Sequence, residues 1–372
     1  MGSVQKFKLS RIPWLVIAGL FILGMVLLWG VDHDEELYRQ PIFKVSQTKV
    51  VRQNRTNDEF HNEDRQVGQK LRGVLMNGKR RGRHLTIQNQ YSASNAMDRK
   101  YHRGEEAFLV LHHDLDRSTI KNYKRDVPIA VLVYLAVCLL LVLLKISGLT
   151  ALSSIVINAI LFVLAVVVNG KTQGTQVLWL FGGLAVVFSA LTLWLILGRS
   201  RQMLITLAST VIGTVSALLI SLLVFKLTHE NGIHYESMQY VTQLPQPLFL
   251  VESLIGSLGA VMDESTDIVS SLFALVREKP QISRRQIFMS GRDIGKSIMG
   301  PLINVLFFIF MGSALPLTLL FLKNGNSWGY SFTMNMSLGV VQSLISAIGI
   351  VLAVLLSSAL ASCLIKKGAT SK

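Results

Sequence analysis

The feature that most constrains this chain is a series of long segments that contain almost no charge. Of its 372 residues, 16% are charged, whereas a soluble protein carries about 25%. Apolar segments of about 18 residues or more are typical of helices that cross a bilayer. We predict eight such helices, and acidic residues intrude on the sixth. Their expected bounds are Ile12–Gly30, Val127–Leu144, Thr150–Val168, Gln176–Leu197, Met203–Phe225, Gln246–Met262, Ile298–Leu322 and Leu338–Ile365.

The first apolar segment has two interpretations, a cleaved signal peptide and a membrane anchor. Basic residues precede it, as they do in a signal peptide. Its apolar core is longer than a usual signal core, however, and no small-x-small cleavage motif precedes the polar run that starts at Asp32. We therefore predict an uncleaved anchor.

The short loops between the predicted helices indicate an orientation. Fifteen basic residues lie at the two ends and in the loops after helices 2, 4 and 6, against three in the opposite short loops. Loops rich in Lys and Arg stay on the cytoplasmic side. We therefore expect a bacterial plasma membrane protein with both termini in the cytoplasm. The net charge of +15 then reflects topology, and no nucleic-acid partner is expected.

Three regions follow from this topology. Residues 1–31 form the cytoplasmic tip and first anchor, residues 32–126 an extracytoplasmic domain, and residues 127–372 a seven-helix membrane domain. In the extracytoplasmic domain, short β-prone runs alternate with turn signals such as Asn77-Gly78. Four to six short strands predict a small β-barrel of the OB or SH3 kind.

Cysteine usage adds a constraint on this domain. Cys138 and Cys363 are the only cysteines, and both lie in predicted helices. No disulfide framework is therefore available, and the extracytoplasmic domain must be stable without one.

Two polar motifs in the extracytoplasmic domain have alternative interpretations. The run Lys79–Arg83 could bind an anionic partner such as membrane lipid headgroups, or form a charged turn that blocks edge pairing between strands. His112, Asp114 and Asp116 would share one face of a strand. Because no second cluster of ligands is visible, we predict neither a metal site nor a cofactor.

The sixth apolar segment carries the most informative pattern. Spacings of three and four residues place Glu252, Gly256, Gly259, Asp263 and Asp267 on one helical face, opposite bulky aliphatic residues. Small residues let helices approach closely, and carboxylates within a membrane normally face a bundle interior or a water-filled cavity.

Two depths in the membrane are possible for these acidic residues. The membrane span could end near Met262, which leaves the acids at the cytoplasmic mouth, or the helix could break at Gly256–Gly259, which places them deeper. Gly300-Pro301 and Pro316 are expected to interrupt the seventh helix, and broken helices near polar groups are a feature of transporters.

The same region resembles a known family. Ile255–Asp263, Ser290–Gly295 and Asn304 are similar to the core of the YibE/F-like membrane proteins, and the overall layout resembles the YibE-like members. Glu264 and Asp267 make the chain more acidic than the pattern of that family. The resemblance implies a permease-like protein that forms a homo-oligomer or a complex with a YibF-like companion lacking the outside domain.

The first functional hypothesis is a transporter or permease subunit of unknown substrate. Its acids would bind a cation or relay protons, and Arg292 with Asp293 would gate the path. The structural alternative is that Asp263–Asp267 caps a helix end and pairs with Arg277 or Arg284. The candidate path residues are Glu252, Gly256, Gly259, Asp263, Glu264, Asp267, Arg292, Asp293 and Asn304.

Other functional classes remain as alternatives. The chain could be a membrane assembly or sensor protein whose outside domain binds a partner. A separate ATPase could dock on the basic 277–296 loop, because the chain has no Walker A motif of its own. We do not expect an enzyme, since Gly-x-Ser-x-Gly and His-Glu-x-x-His are absent from the sequence and no second aspartate faces Asp263 from another helix.

Overall fold

The computed structural model has two compact units, Met1–Ile146 and Ser147–Lys372. Seven of the described helices are long and apolar enough to cross a membrane, so the chain has the character of a polytopic membrane protein. The structure describes residues 14–57, 63–95, 98–112, 118–144, 146–171, 177–238 and 245–365.

The first unit consists of two helices that flank a five-stranded antiparallel sheet. Helix α1 (Trp14–Asp32) precedes the sheet and α2 (Asp126–Leu144) follows it. The strands pair in the order β3-β2-β1-β4-β5. They are β1 (Ile42–Asn57), β2 (Glu63–Leu75), β3 (His84–Ser92), β4 (Glu106–Val110) and β5 (Thr119–Tyr123).

The core of the sheet lies on one face, because side chains alternate between the two faces of a strand. In β2, every second residue from Val67 to Leu75 is buried. Phe43 of β1, Ile87 of β3 and Leu109 of β4 complete this core. The prediction of four to six strands is confirmed. The closure of the sheet into a barrel stays a prediction.

The predicted turn signal at Asn77-Gly78 marks the connection between β2 and β3. Gly78 has a φ of 78°, a backbone conformation that favours glycine. The side chain of Asn77 is buried and accepts a hydrogen bond from the N–H of Ile42 at 2.8 Å. Its amide donates to the carbonyl oxygens of Glu35, Tyr38 and Gln40. Asn77 therefore ties the turn to the segment before β1.

The two polar motifs of this domain differ in what the structure describes. Lys79–Arg83 forms the connection between β2 and β3, and Arg81 pairs with Glu36. His112 is exposed, whereas Asp114 and Asp116 lie outside the described residues. No group of metal-ligating side chains is found in the part of the chain that the structure describes.

A buried lysine connects the sheet to the ends of both helices within this unit. The Nζ of Lys124 lies 2.7 Å from Asp34, 3.0 Å from Glu106 and 3.6 Å from Asp126, and it donates to the carbonyl oxygen of Val31. Burial acts to lower the pKa of Lys124, but its hydrogen bonds to Asp34 and Glu106 raise that pKa above the usual range. Its side chain is only 3% exposed.

The second unit contains seven helices. Helices α5, α6 and α9 pack against one another, α7 packs against α9, and α4 packs against α6. The bounds are α3 (Ile146–Lys171), α4 (Val177–Leu197), α5 (Arg201–Leu227), α6 (Pro245–Glu278), α7 (Arg284–Lys323), α8 (Trp328–Asn335) and α9 (Ser337–Leu364).

The three central helices approach closely because glycines lie at their crossing. A Cβ added at Gly213 of α5 would lie 3.4 Å from Val261 of α6. A Cβ added at Gly349 of α9 would lie 2.9 Å from the same valine. Small residues allow this approach, and the van der Waals contact it creates drives helix association in a membrane.

Each of the eight predicted helices corresponds to a helix in the structure, but two details were wrong. Helix α6 is continuous through Gly256–Gly259, so the alternative with a break there is wrong, whereas the end of the membrane span near Met262 stays a prediction. Helix α7 is continuous through Pro301 and Pro316. Neighbouring helices in a bundle can compensate for the hydrogen bond that a proline removes. The short helix α8 was not predicted.

We expect Lys124→Met to destabilise the sheet domain by about 3 kcal/mol, because it leaves the carboxylate of Asp34 without its cation and leaves Glu106 paired with Lys44 alone. Lys121→Met is the matched control, because Lys121 lies exposed on β5, the strand that Lys124 follows; its effect should stay within about 0.5 kcal/mol. Urea unfolding of a fragment of residues 32–126, followed by circular dichroism, measures both changes. Equal midpoints for the two variants would contradict the role given to Lys124.

Candidate functional site

Helix α6 carries most of the predicted site residues on a face that the described residues leave uncovered. Glu252, Gly256, Gly259, Asp263 and Asp267 are all exposed. The opposite side of the helix is buried and largely aliphatic. We call these five residues the acidic face of α6.

Glu264 lies apart from this face, in the interior of the helical unit. Its side chain is fully buried, with 0% exposure. Neither carboxylate oxygen has a hydrogen-bond partner among the described residues. A buried carboxylate without a partner is costly, and within a membrane bundle it indicates a functional site.

Two contacts between α5 and α6 fix the level of Glu264. Val261 lies against Gly213, and the amide of Gln202 donates to the hydroxyl of Ser270 at 2.7 Å. The two helices are therefore antiparallel at this place. Since Glu264 falls between Val261 and Ser270 in the sequence, it lies at the level of the segment of α5 between Gln202 and Gly213.

Buried hydroxyl groups lie on α5, α6 and α9 in this part of the bundle. Thr206, Ser265 and Ser357 are fully buried, and their hydroxyl oxygens have no partner among the described residues. Ser209 and Thr210, also fully buried, donate to carbonyl oxygens four residues earlier in α5. That donation leaves the lone pairs of these two oxygens free to accept.

The register of α9 places Ser357 beyond the level of Glu264. Gly349 of α9 lies against Val261, and the amide of Gln342 lies close to Gly256, so helices α6 and α9 run parallel. Ser357 follows Gly349 by about two turns, whereas Glu264 follows Val261 by less than one, so Ser357 lies about 7 Å farther along the axis. Glu264 and the hydroxyls of Thr206, Ser209, Thr210 and Ser265 form what we call the hydroxyl-carboxylate core.

The predicted gate on α7 does not contact the acids of α6. Arg292 lies 3.8 Å from the carboxylate of the adjacent Asp293, and Lys296 lies 3.7 Å from the same group. No ion pair in the described part of the chain joins Arg292 to Glu252, to Glu264 or to the other acids of α6. Asn304 is exposed on α7.

The alternative in which Asp263–Asp267 caps a helix end is wrong. Helix α6 continues to Glu278, 11 residues beyond Asp267. Neither of these aspartates forms an ion pair with Arg277 or Arg284 within the described residues. The two aspartates therefore lie on the side of a continuous helix.

The buried hydroxyls are the site residues that sequence reasoning missed. Their signal is present in α5, where Thr206, Thr210 and Thr214 recur at four-residue intervals and Ser221 follows on the same side. All four are buried. A polar stripe in an apolar helix predicts a face turned toward other helices rather than lipid.

Comparison with known families identifies both units. The family model described as YibE/F-like protein matches residues 132–367. The model described as YibE/F family N-terminal domain matches residues 36–123. No curated protein and no solved structure matches the chain significantly. The first match includes the whole hydroxyl-carboxylate core, and the second includes the whole sheet.

We expect Glu264→Met to stabilise the helical unit, because methionine fills a similar volume without an unpaired polar group. The expected gain is about 1–3 kcal/mol, the cost of burying an uncompensated polar group. Glu278→Met is the matched control, since Glu278 lies at the exposed end of the same helix. Thermal unfolding in detergent compares the two variants. A fall in the unfolding temperature for Glu264→Met alone would show that the fold needs the carboxylate.

Proposed function

Since the chain belongs to the YibE/F-like family and has the helices of a polytopic membrane protein, we propose that it is a non-enzymatic, permease-like transport subunit. The observation that carries this proposal is the buried, unpartnered carboxylate of Glu264. We propose that the substrate path passes the hydroxyl-carboxylate core. The sequence had instead favoured a path along the acidic face of α6.

The free-energy cost of burying the unpaired carboxylate of Glu264 supports a functional role for this residue. An apolar side chain of similar size would pack in the core without an unpaired polar group. A carboxylate without a compensating donor or cation stabilises nothing in the folded state, because it has lost its hydration and gained no partner. Such local conflicts with folding are expected at functional sites. A group that binds and releases a cation or a proton must be uncompensated for part of its cycle.

We also propose the bacterial plasma membrane as the location, with both termini in the cytoplasm and residues 32–126 outside. The loop charges support this orientation. The strand order β3-β2-β1-β4-β5 supports a barrel of the OB kind, opened between β3 and β5.

The acidic face of α6 supports a second chain as partner. Exposed carboxylates on a membrane-spanning helix are costly against lipid and are normally covered by protein or water. Gly259, where an added Cβ would meet no atom within 4 Å, would let a partner helix approach closely. We propose a second copy or a YibF-like companion in this place. This face also favours the second candidate function, an assembly or sensor protein.

A separate ATPase remains a further proposed partner. The segment 277–296 is mostly helical rather than a loop, because α6 ends at Glu278 and α7 begins at Arg284. Its basic residues would therefore be presented by the ends of two helices.

We expect Glu264→Gln to abolish transport-dependent growth in a complementation assay while the protein still folds. The amide keeps the size of the side chain but cannot take up and release charge. Glu278→Gln, at the exposed end of the same helix, should complement fully. Thermal unfolding of both purified variants separates loss of function from loss of fold. Full complementation by a normally stable Glu264→Gln variant would move the assignment to the assembly or sensor function.

Gly259→Leu tests the partner proposal. A side chain at Gly259 meets no atom within 4 Å, so the isolated chain should fold normally. We expect it to prevent association with the partner helix, seen as loss of the complex on size exclusion in mild detergent. Gly183→Leu on α4, which is equally open, is the control and should leave association intact. An unchanged complex with Gly259→Leu would exclude this face as the interface.

A further inference from the structure

The hydroxyl-carboxylate core has the composition of a cation site. We infer that it binds one monovalent cation of the size of Na⁺, held by the carboxylate of Glu264 and the surrounding hydroxyl oxygens. This inference rests on the proposed function, because it names the ion that the transport subunit would use.

The charge of the core selects a monovalent ion. Glu264 is the only fully buried charged residue among the described residues of the helical unit. No buried Lys, Arg or His is found there to compensate for it. One carboxylate is neutralised by one positive charge. A site for Ca²⁺ or Mg²⁺ would normally combine several carboxylates or substrate phosphates.

The oxygen atoms of the core favour a metal cation over a proton as the partner of the Glu264 carboxylate. A proton on Glu264 would satisfy one carboxylate oxygen and require a single acceptor. The unpartnered hydroxyls of Thr206 and Ser265 would then remain without a role. Hard cations prefer carboxylate, hydroxyl, carbonyl and water oxygens. A cation would therefore use the same oxygen atoms that the folded chain leaves unpaired.

The arrangement of the hydroxyls supports the same assignment. Ser209 and Thr210 donate their protons to backbone carbonyls of their own helix at 2.9 and 2.8 Å. The lone pairs that remain are acceptors and cannot satisfy a second acceptor such as a carboxylate. At these two positions the interior therefore offers acceptors rather than donors, as expected for the lining of a cation site.

Close helix packing favours a small ion. Gly213 and Gly349 bring α5 and α9 against Val261, one turn from Glu264. A larger, well-hydrated ion would need these three helices to separate. The site would lie about 12 Å along the axis from the start of α5 at Arg201, which is within the spanning part of that helix.

The test measures thermal unfolding of the full-length protein in detergent at fixed pH and ionic strength, with NaCl replaced stepwise by choline chloride or KCl. We expect Na⁺ to raise the unfolding temperature saturably, because a ligand that binds only the folded state stabilises it. Choline should have no effect. Binding of ²²Na⁺ by equilibrium dialysis should saturate at about one ion per chain, the number set by the single buried carboxylate.

Variants assign the effect to the core. Glu264→Gln should lose the response to Na⁺, and Glu278→Gln should keep it. Ser265→Ala removes one oxygen and should weaken the apparent affinity for Na⁺ about tenfold, in line with the loss of one polar interaction. This second variant keeps the inference testable if Glu264→Gln fails to fold.

The outcomes separate this inference from the proposed function. No Na⁺ response in the wild-type protein, together with loss of complementation by Glu264→Gln, would overturn the sodium site and leave transport standing with a proton at Glu264. A Na⁺ response that survives in both Glu264→Gln and Ser265→Ala would overturn the site. A response abolished by Glu264→Gln, with full complementation by the same variant, would support the site and remove the transport role.

Discussion

The close approach of three helices is the constraint on which the membrane unit depends. A Cβ at Gly349 of α9 would lie 2.9 Å from Val261 of α6 and would force a shift, and one at Gly213 of α5 would reach the same valine at 3.4 Å, so both helices pack directly against it. That contact sets the register of all three helices. It also determines which residues of α6 lie between its neighbours, and Glu264, one turn away, is among them. The burial of this carboxylate is thus a consequence of the glycine contacts.

The first unit also contains a buried charge, but this charge is fully paired. Lys124 is as buried as Glu264, yet it contacts Asp34, Glu106 and Asp126 within 3.6 Å. A compensated buried charge fixes geometry, because only one arrangement of the surrounding chain satisfies it. The contrast supports different roles for the two charges. Lys124 defines where the sheet meets the ends of α1 and α2, and Glu264 is left free to interact with something else.

Much of the architecture follows from features that are local in sequence. Apolar runs of helical length predicted the eight long helices α1–α7 and α9, and the Asn77-Gly78 turn correctly marked a hairpin. The continuity of α6 and α7 was predicted wrongly, because a glycine or proline is locally unfavourable in a helix while its cost is offset by neighbouring helices. That offset depends on tertiary contacts, which periodicity in one segment cannot reveal.

The burial of Glu264 at the candidate site likewise could not be predicted from periodicity in one segment. Asp263 and Glu264 are adjacent in sequence, and a helical period of 3.6 separates them by about 100° around the axis. Periodicity correctly grouped Asp263 with Glu252 on one face. It could not tell which face would be covered, because the aliphatic side that buries Glu264 is recognised only once α5 and α9 are in place. The hydroxyls grouped with Glu264 come from two separate helices, α5 and α6, so no single motif contains them.

The continuity of α6 makes this helix a single mechanical element. It runs from Pro245 to Glu278 without a break, and Glu264 lies 14 residues, about 21 Å, from its end at Glu278. A continuous helix moves as a rigid rod over this distance, since bending it would break backbone hydrogen bonds. A rotation of the rod that moves Glu252 or Asp263 on one side must therefore move Glu264 on the other. Ion occupancy of the hydroxyl-carboxylate core and partner contact at the acidic face of α6 are therefore geometrically linked, because both involve residues of one rigid helix.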